Sequence, residues 1–200
     1  MATTFHGLTF LTDPGKVFSP RPTTEKLVDA ALERIGDSPA RVADVGTGSG
    51  AIAITLALRA PQIDVWASDS CAKALALASR NAERLGARVH VVKGDLLDGL
   101  PRDLDLIVAN LPYLAPEQGG YDEEPAAAVF STGDGLDHYR RLLAGAGDHL
   151  AANGGVIIQL HGEVLEAERS ELPWLRGRLE AVAAAAYSQV PRKVPTPAAT

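Results

Sequence analysis

The sequence has a single cysteine, Cys71, which excludes an intramolecular disulfide and suits a reducing compartment. It has no apolar run long enough to span a bilayer, so no membrane association is expected. Its opening, MATTFHGLTF, lacks a basic stretch followed by an apolar one, so no signal peptide is expected. It also lacks an excess of positive charge. With 19 Lys and Arg against 25 Asp and Glu, the net charge is -6, which gives no general attraction to nucleic acid but leaves room for a local basic patch. The five histidines, His6, His90, His138, His149 and His161, show no ligand spacing, and no metal site is expected. What is present is a chain of 200 residues, 46% hydrophobic and 22% charged, which fits one globular domain with a full core. A cytoplasmic monomer is the expected form.

Helix-like and strand-like patterns alternate along the chain. Residues 23–36 have apolar positions at helical spacing and close at Gly36; 40–46 is a short β-branched run into glycine. Helical patterns recur over 49–60, 71–86 and 135–155, and strand-like runs over 63–69, 88–95, 104–110 and 156–160. Strands that alternate with helices imply parallel crossovers, hence an α/β, doubly wound, mostly parallel sheet with helices on both faces. The runs are apolar without alternation, as strands covered on both faces should be. The alanine-rich stretch 177–187 is compatible with strand or helix. The chain is read as one catalytic domain over 1–187 with an N-terminal segment 1–36, followed by a loose Pro/Ala/Thr-rich tail over 188–200.

Chemistry first shows in VADVGTGSGAIA. A strand ends at Asp44, and Gly46, Gly48 and Gly50 lead into a helix, a turn that lets backbone lie flat against a ligand at the sheet edge. Nicotinamide-cofactor folds use a similar turn, and they share the acid some 20 residues on, here Asp69, which can bind ribose hydroxyls. Asp44 and Asp95 separate the two readings. A carboxylate at Asp44, facing the pocket, suits an ammonium or sulfonium and suits a diphosphate poorly. Asp95, after the third strand, can accept a hydrogen bond from an exocyclic adenine amine. Three acids at three successive strand ends describe a pocket for a cationic nucleoside, and S-adenosylmethionine has that charge pattern. The adjoining Thr47, Ser70 and Leu96 are counted with this cofactor set, as is Asn110.

The fourth strand runs into DLIVANLPYLAP. Methylating a planar nitrogen is hard because its lone pair is delocalised, and two acceptors holding its two N–H hydrogens help turn that lone pair toward the methyl group. The Asn110 side-chain oxygen can be one acceptor and the Leu111 carbonyl the other. Pro112 restricts Leu111 to extended geometry and keeps its carbonyl exposed, and Tyr113 offers a flat face for stacking. On this logic Leu111→Pro should leave transfer intact or improve it.

These residues resemble the HemK-like methyltransferases, which modify the glutamine amide of a Gly-Gly-Gln motif in translational release factors. The likeness runs from about Phe5 to Leu172. FSPRPTTEKLV is similar to the family's Pro-Arg-Pro-x-Thr-Glu segment, DVGTGSGAIAITLA and ALALASRNAERLG to its cofactor motif and second helix, and YDEEPAAAVFSTGDGLDHYRRLL to its Glu-Pro loop and Gly-Asp-Gly-Leu helix start. The resemblance is to the catalytic domain only. It implies a Rossmann-like class I S-adenosylmethionine-dependent fold, cofactor binding by Asp44, Gly46, Gly48, Asp69 and Asp95, and a substrate amide held by Asn110 and Tyr113. It also implies a protein substrate, a release factor or ribosomal protein. The family tetrapeptide is Asn-Pro-Pro-Tyr, whereas Leu111 stands here for its first proline. Asn-Leu-Pro-Tyr also occurs in ribosomal RNA adenine dimethylases, so an exocyclic amine of RNA, DNA or a small molecule stays open as the acceptor. So does a cofactor-binding, non-catalytic subunit. The family's closing strand pair is hard to see in AVAAAAYSQVPRK.

Among single residues, His161 ends the fifth strand near the crevice, and Arg21 can meet a carboxylate or a substrate carbonyl. Cys71 begins a helix, where its thiol pKa could fall, but it reads better as a filler beside the adenosine. Trp66 and Trp174 read as packing residues.

Overall fold

A computed structural model describes residues 1–116, 123–161 and 163–188. The chain opens with an antiparallel hairpin, β1 (Ala2–Phe5) and β2 (Leu8–Leu11), turned by His6 and Gly7. After α1 (Glu25–Ile35), a six-stranded sheet is built from β3 (Arg41–Val45), β4 (Asp64–Asp69), β5 (His90–Lys93), β6 (Leu104–Ala109), β7 (Leu150–Leu160) and β8 (Glu163–Glu168). Its spatial order is β5-β4-β3-β6-β7-β8, with β8 antiparallel and every other pair parallel. The crossovers contain α2 (Ala51–Arg59), α3 (Ala72–Leu85) and α4 (Asp137–His149), and α5 (Leu172–Ser188) follows β8.

The order reverses between β3 and β6, which opens a crevice at the carboxyl ends of the central strands. On one face Ala43, Ile107, Ala109 and Ile158 pack with Tyr139, Leu142 and Leu143 of α4 and Leu175 of α5. On the other, Val42, Val108 and Ile157 pack with Leu27 and Val28 of α1, Ile52 of α2 and Phe5 and Phe10 of the hairpin. Each central strand is therefore buried on both sides, which is why its sequence shows no polar alternation. Among the described residues no helix is long and apolar enough to cross a membrane.

Several elements differ from the sequence reading. Helix α4 ends at His149, and the strand begins at once with Leu150, which pairs with Leu104. The pairing shifts before Gly155 meets Leu106, so residues 151–154 are an irregularity inside the strand and do not prolong the helix. The hairpin at the start has no counterpart in the sequence reading, which takes 1–36 as an entry segment. The antiparallel closing partner of β7 is Glu163–Glu168, earlier in the chain than AVAAAAYSQVPRK, and its exposed glutamates hide the buried Leu165 and Ala167. The alanine-rich stretch is helical within α5. Trp174 is 59% exposed and is no packing residue, whereas Trp66 stacks on His90. The expected tail beyond Ser188, and Tyr121 and Asp122 of the Glu-Pro segment, lie outside the described residues.

Candidate active site

Along the carboxyl edge of the sheet, in spatial order, come Asp95 after β5, Asp69 on β4, the glycine turn after β3, Asn110 after β6 and Gln159 near the end of β7. All of these except Gly50 of the turn line one cavity of about 500 Å³. Its roof comes from Lys16–Thr24 and from the Pro125–Val129 region. Arg21 and Glu124 join the two parts of the roof at 2.6 Å, and Glu124 also accepts the Ser19 N–H. The carboxylate that Arg21 meets thus belongs to its own chain.

The glycine turn is pinned beneath β4, because the N–H groups of Gly46 and Thr47 both donate to the Ser68 carbonyl at 2.9 Å. Gly46 has φ 74°, and a Cβ there would stand 2.6 Å from Leu111 Cδ2, so the turn and the Asn-Leu-Pro-Tyr segment fit together only without that side chain. Gly46, Thr47 and Gly48 line the cavity. Gly50 does not. At φ 83° it starts α2, where a Cβ would come within 2.8 Å of Ile54 and 3.1 Å of Ala78, so its place is the packing of α2 on α3.

Asp44 also departs from expectation. It is fully buried beneath the turn and is absent from the cavity wall. Its Oδ2 accepts the Thr47 hydroxyl at 2.6 Å and the Ala53 N–H at 3.1 Å, so the carboxylate ties the turn to the first turn of α2, where main-chain donors have no helical partner. Burial pushes its pKa up to about 7, against the lowering effect of those two bonds, and Asp69 adds to the rise.

Asp69 stands at the wall, with Oδ2 accepting the Gly48 N–H at 2.9 Å and Oδ1 the Cys71 N–H at 2.8 Å. It holds the turn on one side and the start of α3 on the other. Ser70 and Cys71 line the cavity next to it. Asp95 is exposed and already paired with Arg141 across the rim. Leu96 follows with φ 54°, its carbonyl accepting the Ser68 hydroxyl at 2.9 Å.

At the other side, Asn110 donates through Nδ2 to the Thr24 hydroxyl at 3.1 Å, leaving Oδ1 as its acceptor. Leu111 is buried, and its N–H donates at 2.9 Å to the hydroxyl of Tyr139, a wholly buried α4 residue. That hydroxyl gives its one proton to the Gln159 carbonyl and lies 3.4 Å from the Leu111 carbonyl. A proline at 111 would remove the donor, so the expectation that Leu111→Pro is harmless does not survive this contact. Pro112 and Tyr113 line the cavity, and the Tyr113 ring lies tilted on His161, centroids 4.8 Å apart. Burial lowers the pKa of His161, which keeps the imidazole neutral near pH 7.

Two further wall residues, His138 and Gln159, carry no motif in the sequence. His138 lies in the first turn of α4, its Nδ1 against the Ser131 hydroxyl at 2.7 Å and its pKa lowered by burial and by Arg141. Gln159 is 3% exposed, donates through Nε2 to the Thr23 carbonyl at 3.1 Å, and has no partner for Oε1 among the described residues. A glutamine in the otherwise apolar run VIIQL is the available signal.

The family model for the methyltransferase small domain matches residues 7–186. The chain is 44% identical over 164 residues to the release factor glutamine methyltransferase of Bordetella pertussis, covering 78% of this chain and 61% of that protein. It is 46% identical over 152 residues to the protein of the same name from Xylella fastidiosa, covering 72% and 54%. It thus spans between half and two thirds of the curated relatives it matches. A solved ribosomal protein L11 methylase from Lactobacillus delbrueckii subsp. bulgaricus superposes with a TM-score of 0.56 at 26% identity, covering 84% of this chain and 72% of that one.

Proposed function

The chain belongs to the methyltransferase small-domain family, and on that premise we propose that it is an S-adenosylmethionine-dependent N-methyltransferase. Its acceptor is a planar amide nitrogen, the side chain of a glutamine in a translational release factor, and residues 1–187 act as one cytoplasmic catalytic domain. The activity named for its relatives supports the acceptor. The site's own chemistry supports the cofactor. Asp69 and Asp95 put carboxylates on the wall, and a Cβ at Gly48 would meet nothing nearer than Val17 at 4.0 Å, so the turn is an open cradle. Gly46, Thr47, Gly48, Asp69, Ser70, Asp95 and Leu96 would hold the group. When bound, it supplies an electrophilic methyl.

The observation that carries the reading is the fixed orientation of Asn110. With Nδ2 tied to Thr24, the side chain presents an oxygen to the crevice beside the cradle, and an oxygen there takes an N–H of the incoming amide. The Leu111 carbonyl takes the other N–H, and Tyr113 stacks on the amide plane. The acceptor nitrogen would bond the methyl carbon as the methyl–sulfur bond breaks, the bonding pair would leave on the sulfur of S-adenosylhomocysteine, and one N–H proton would pass to water. No strong base is needed, and the chain contributes positioning, which can remove roughly 7–11 kcal/mol of barrier at its best.

The test is incubation with methyl-labelled cofactor and either a purified release factor or a structured RNA. Label on the glutamine of Gly-Gly-Gln, read by peptide mass spectrometry, is the expected result. Label on RNA adenine with none on the protein would overturn it.

A further inference from the structure

We propose that Gln159 is a specificity residue for the acceptor, its Oε1 taking a main-chain N–H of the peptide that carries the target glutamine. The inference rests on the methyl-transfer reading above.

Register places it. Ala109 pairs with Ile158, so Asn110 and Gln159 are the next neighbours on adjacent parallel strands. Both follow Val108 and Ile157 in the alternation and so belong to the face that α1 covers. There the two amides make matching contacts: Asn110 gives Nδ2 to the Thr24 hydroxyl and Gln159 gives Nε2 to the Thr23 carbonyl. One short segment therefore fixes both side chains with their oxygens turned away from it. In-register neighbours on adjacent strands stand about 4.8 Å apart.

The order along the sheet edge assigns the second oxygen to the acceptor. Asp95, Asp69 and the glycine turn lie on one side of Asn110, and Gln159 lies on the other, one strand beyond the point of transfer. Asn110 Oδ1 and the Leu111 carbonyl already account for the two hydrogens of a planar NH2. Gln159 lines the cavity, and its Oε1 is a third acceptor, buried and without a donor among the described residues. Buried polar atoms in folded proteins have partners, so this one calls for a donor from the ligand. A peptide supplies it, because the main-chain N–H of a glutamine lies close to one strand spacing from its own side-chain nitrogen. An adenine amine does not, since the N1 and N7 on either side of it are acceptors and would set lone pair against lone pair.

The experiment compares a synthetic peptide carrying Gly-Gly-Gln with its depsipeptide, in which an ester oxygen replaces the glutamine main-chain N–H. Wild-type protein should lose about tenfold in kcat/KM on the ester, mainly through KM. Gln159→Leu should lose about the same with the native peptide and nothing more with the ester. Equal kcat/KM for the two peptides with wild type, or losses that simply add, would overturn the inference. The ester arm needs no variant, so poor folding of Gln159→Leu leaves the inference open to refutation. Anisotropy of labelled peptides, with S-adenosylhomocysteine present, separates it from the reading on which it rests. Tighter binding of the native peptide supports Gln159 even if no methyl is transferred, and equal affinities overturn it even if transfer proceeds.

Discussion

Tyr139→Phe removes one oxygen from the joint that holds the acceptor side of the site. The hydroxyl accepts the Leu111 N–H at 2.9 Å and donates to the Gln159 carbonyl, and the side chain has no solvent exposure. Burial pushes the phenol pKa up, so it remains a donor throughout the working pH range. Phenylalanine fills the same space but strands a main-chain donor and a main-chain acceptor out of reach of water. Each stranded group costs about 1–3 kcal/mol, partly offset because the hydroxyl itself no longer needs desolvating, which leaves about 2–4 kcal/mol net. Against a total stability of about 5–15 kcal/mol this is a large share. With a urea slope of about 2–3 kcal/mol/M for a chain of this size, the midpoint should fall by roughly 1–2 M. Urea titration followed by far-UV circular dichroism measures it. Because the joint sits behind Asn110 and Gln159, single-turnover methyl transfer should fall further than cofactor affinity. A midpoint within about 0.3 M of wild type would refute the argument, since it would mean the two main-chain groups find other partners.

Asp69→Ala should weaken S-adenosylmethionine binding by about 1–3 kcal/mol in calorimetry, because the ribose partner and the acceptor for the Gly48 and Cys71 N–H groups go together; unchanged affinity would remove Asp69 from the site. Asn110→Ala should nearly abolish single-turnover transfer while calorimetry still shows cofactor binding, and retained transfer would reduce the tetrapeptide to a turn. Leu111→Pro should lower stability by about 1–2 kcal/mol in thermal melts, since the Tyr139 hydroxyl loses its donor; an unchanged melt would restore the opposite expectation. Asp44 has a folded-state pKa raised from 3.8 to about 7, so the native protein favours its protonated form. Its contribution is full below about pH 4 and is lost as pH rises through 7, a swing on the order of 4 kcal/mol. Urea stability of wild type relative to Asp44→Asn should therefore fall between pH 5 and pH 8, and parallel curves would contradict it.

The sequence by itself determines the sheet. Val42–Val45, Leu106–Ala109 and Val65, Ala67 and Ser68 are buried, and a doubly covered parallel strand must be a largely apolar run, which a linear reading detects. The same logic hid β8, an edge strand whose glutamates face water and whose Leu165 and Ala167 gain meaning only once β7 lies beside them. It also determines that acids, glycines and Asn110 sit at strand ends, because strand length and crossover order bring those positions to one edge. What a side chain does there is decided later. Asp44 and Asp69 are equivalent in the linear pattern, yet one carboxylate is sealed under Thr47 and Ala53 while the other stays at the wall. Gly46 and Gly50 look alike, but one is emptied by Leu111 and the other by Ile54 and Ala78. Tyr139 meets Leu111 and Gln159 across 28 and 20 residues. Periodicity carries information about neighbours within a turn or a pleat, whereas a hydrogen bond between α4 and the ends of two strands exists only after packing has fixed all three in space, so only the tertiary structure could decide it.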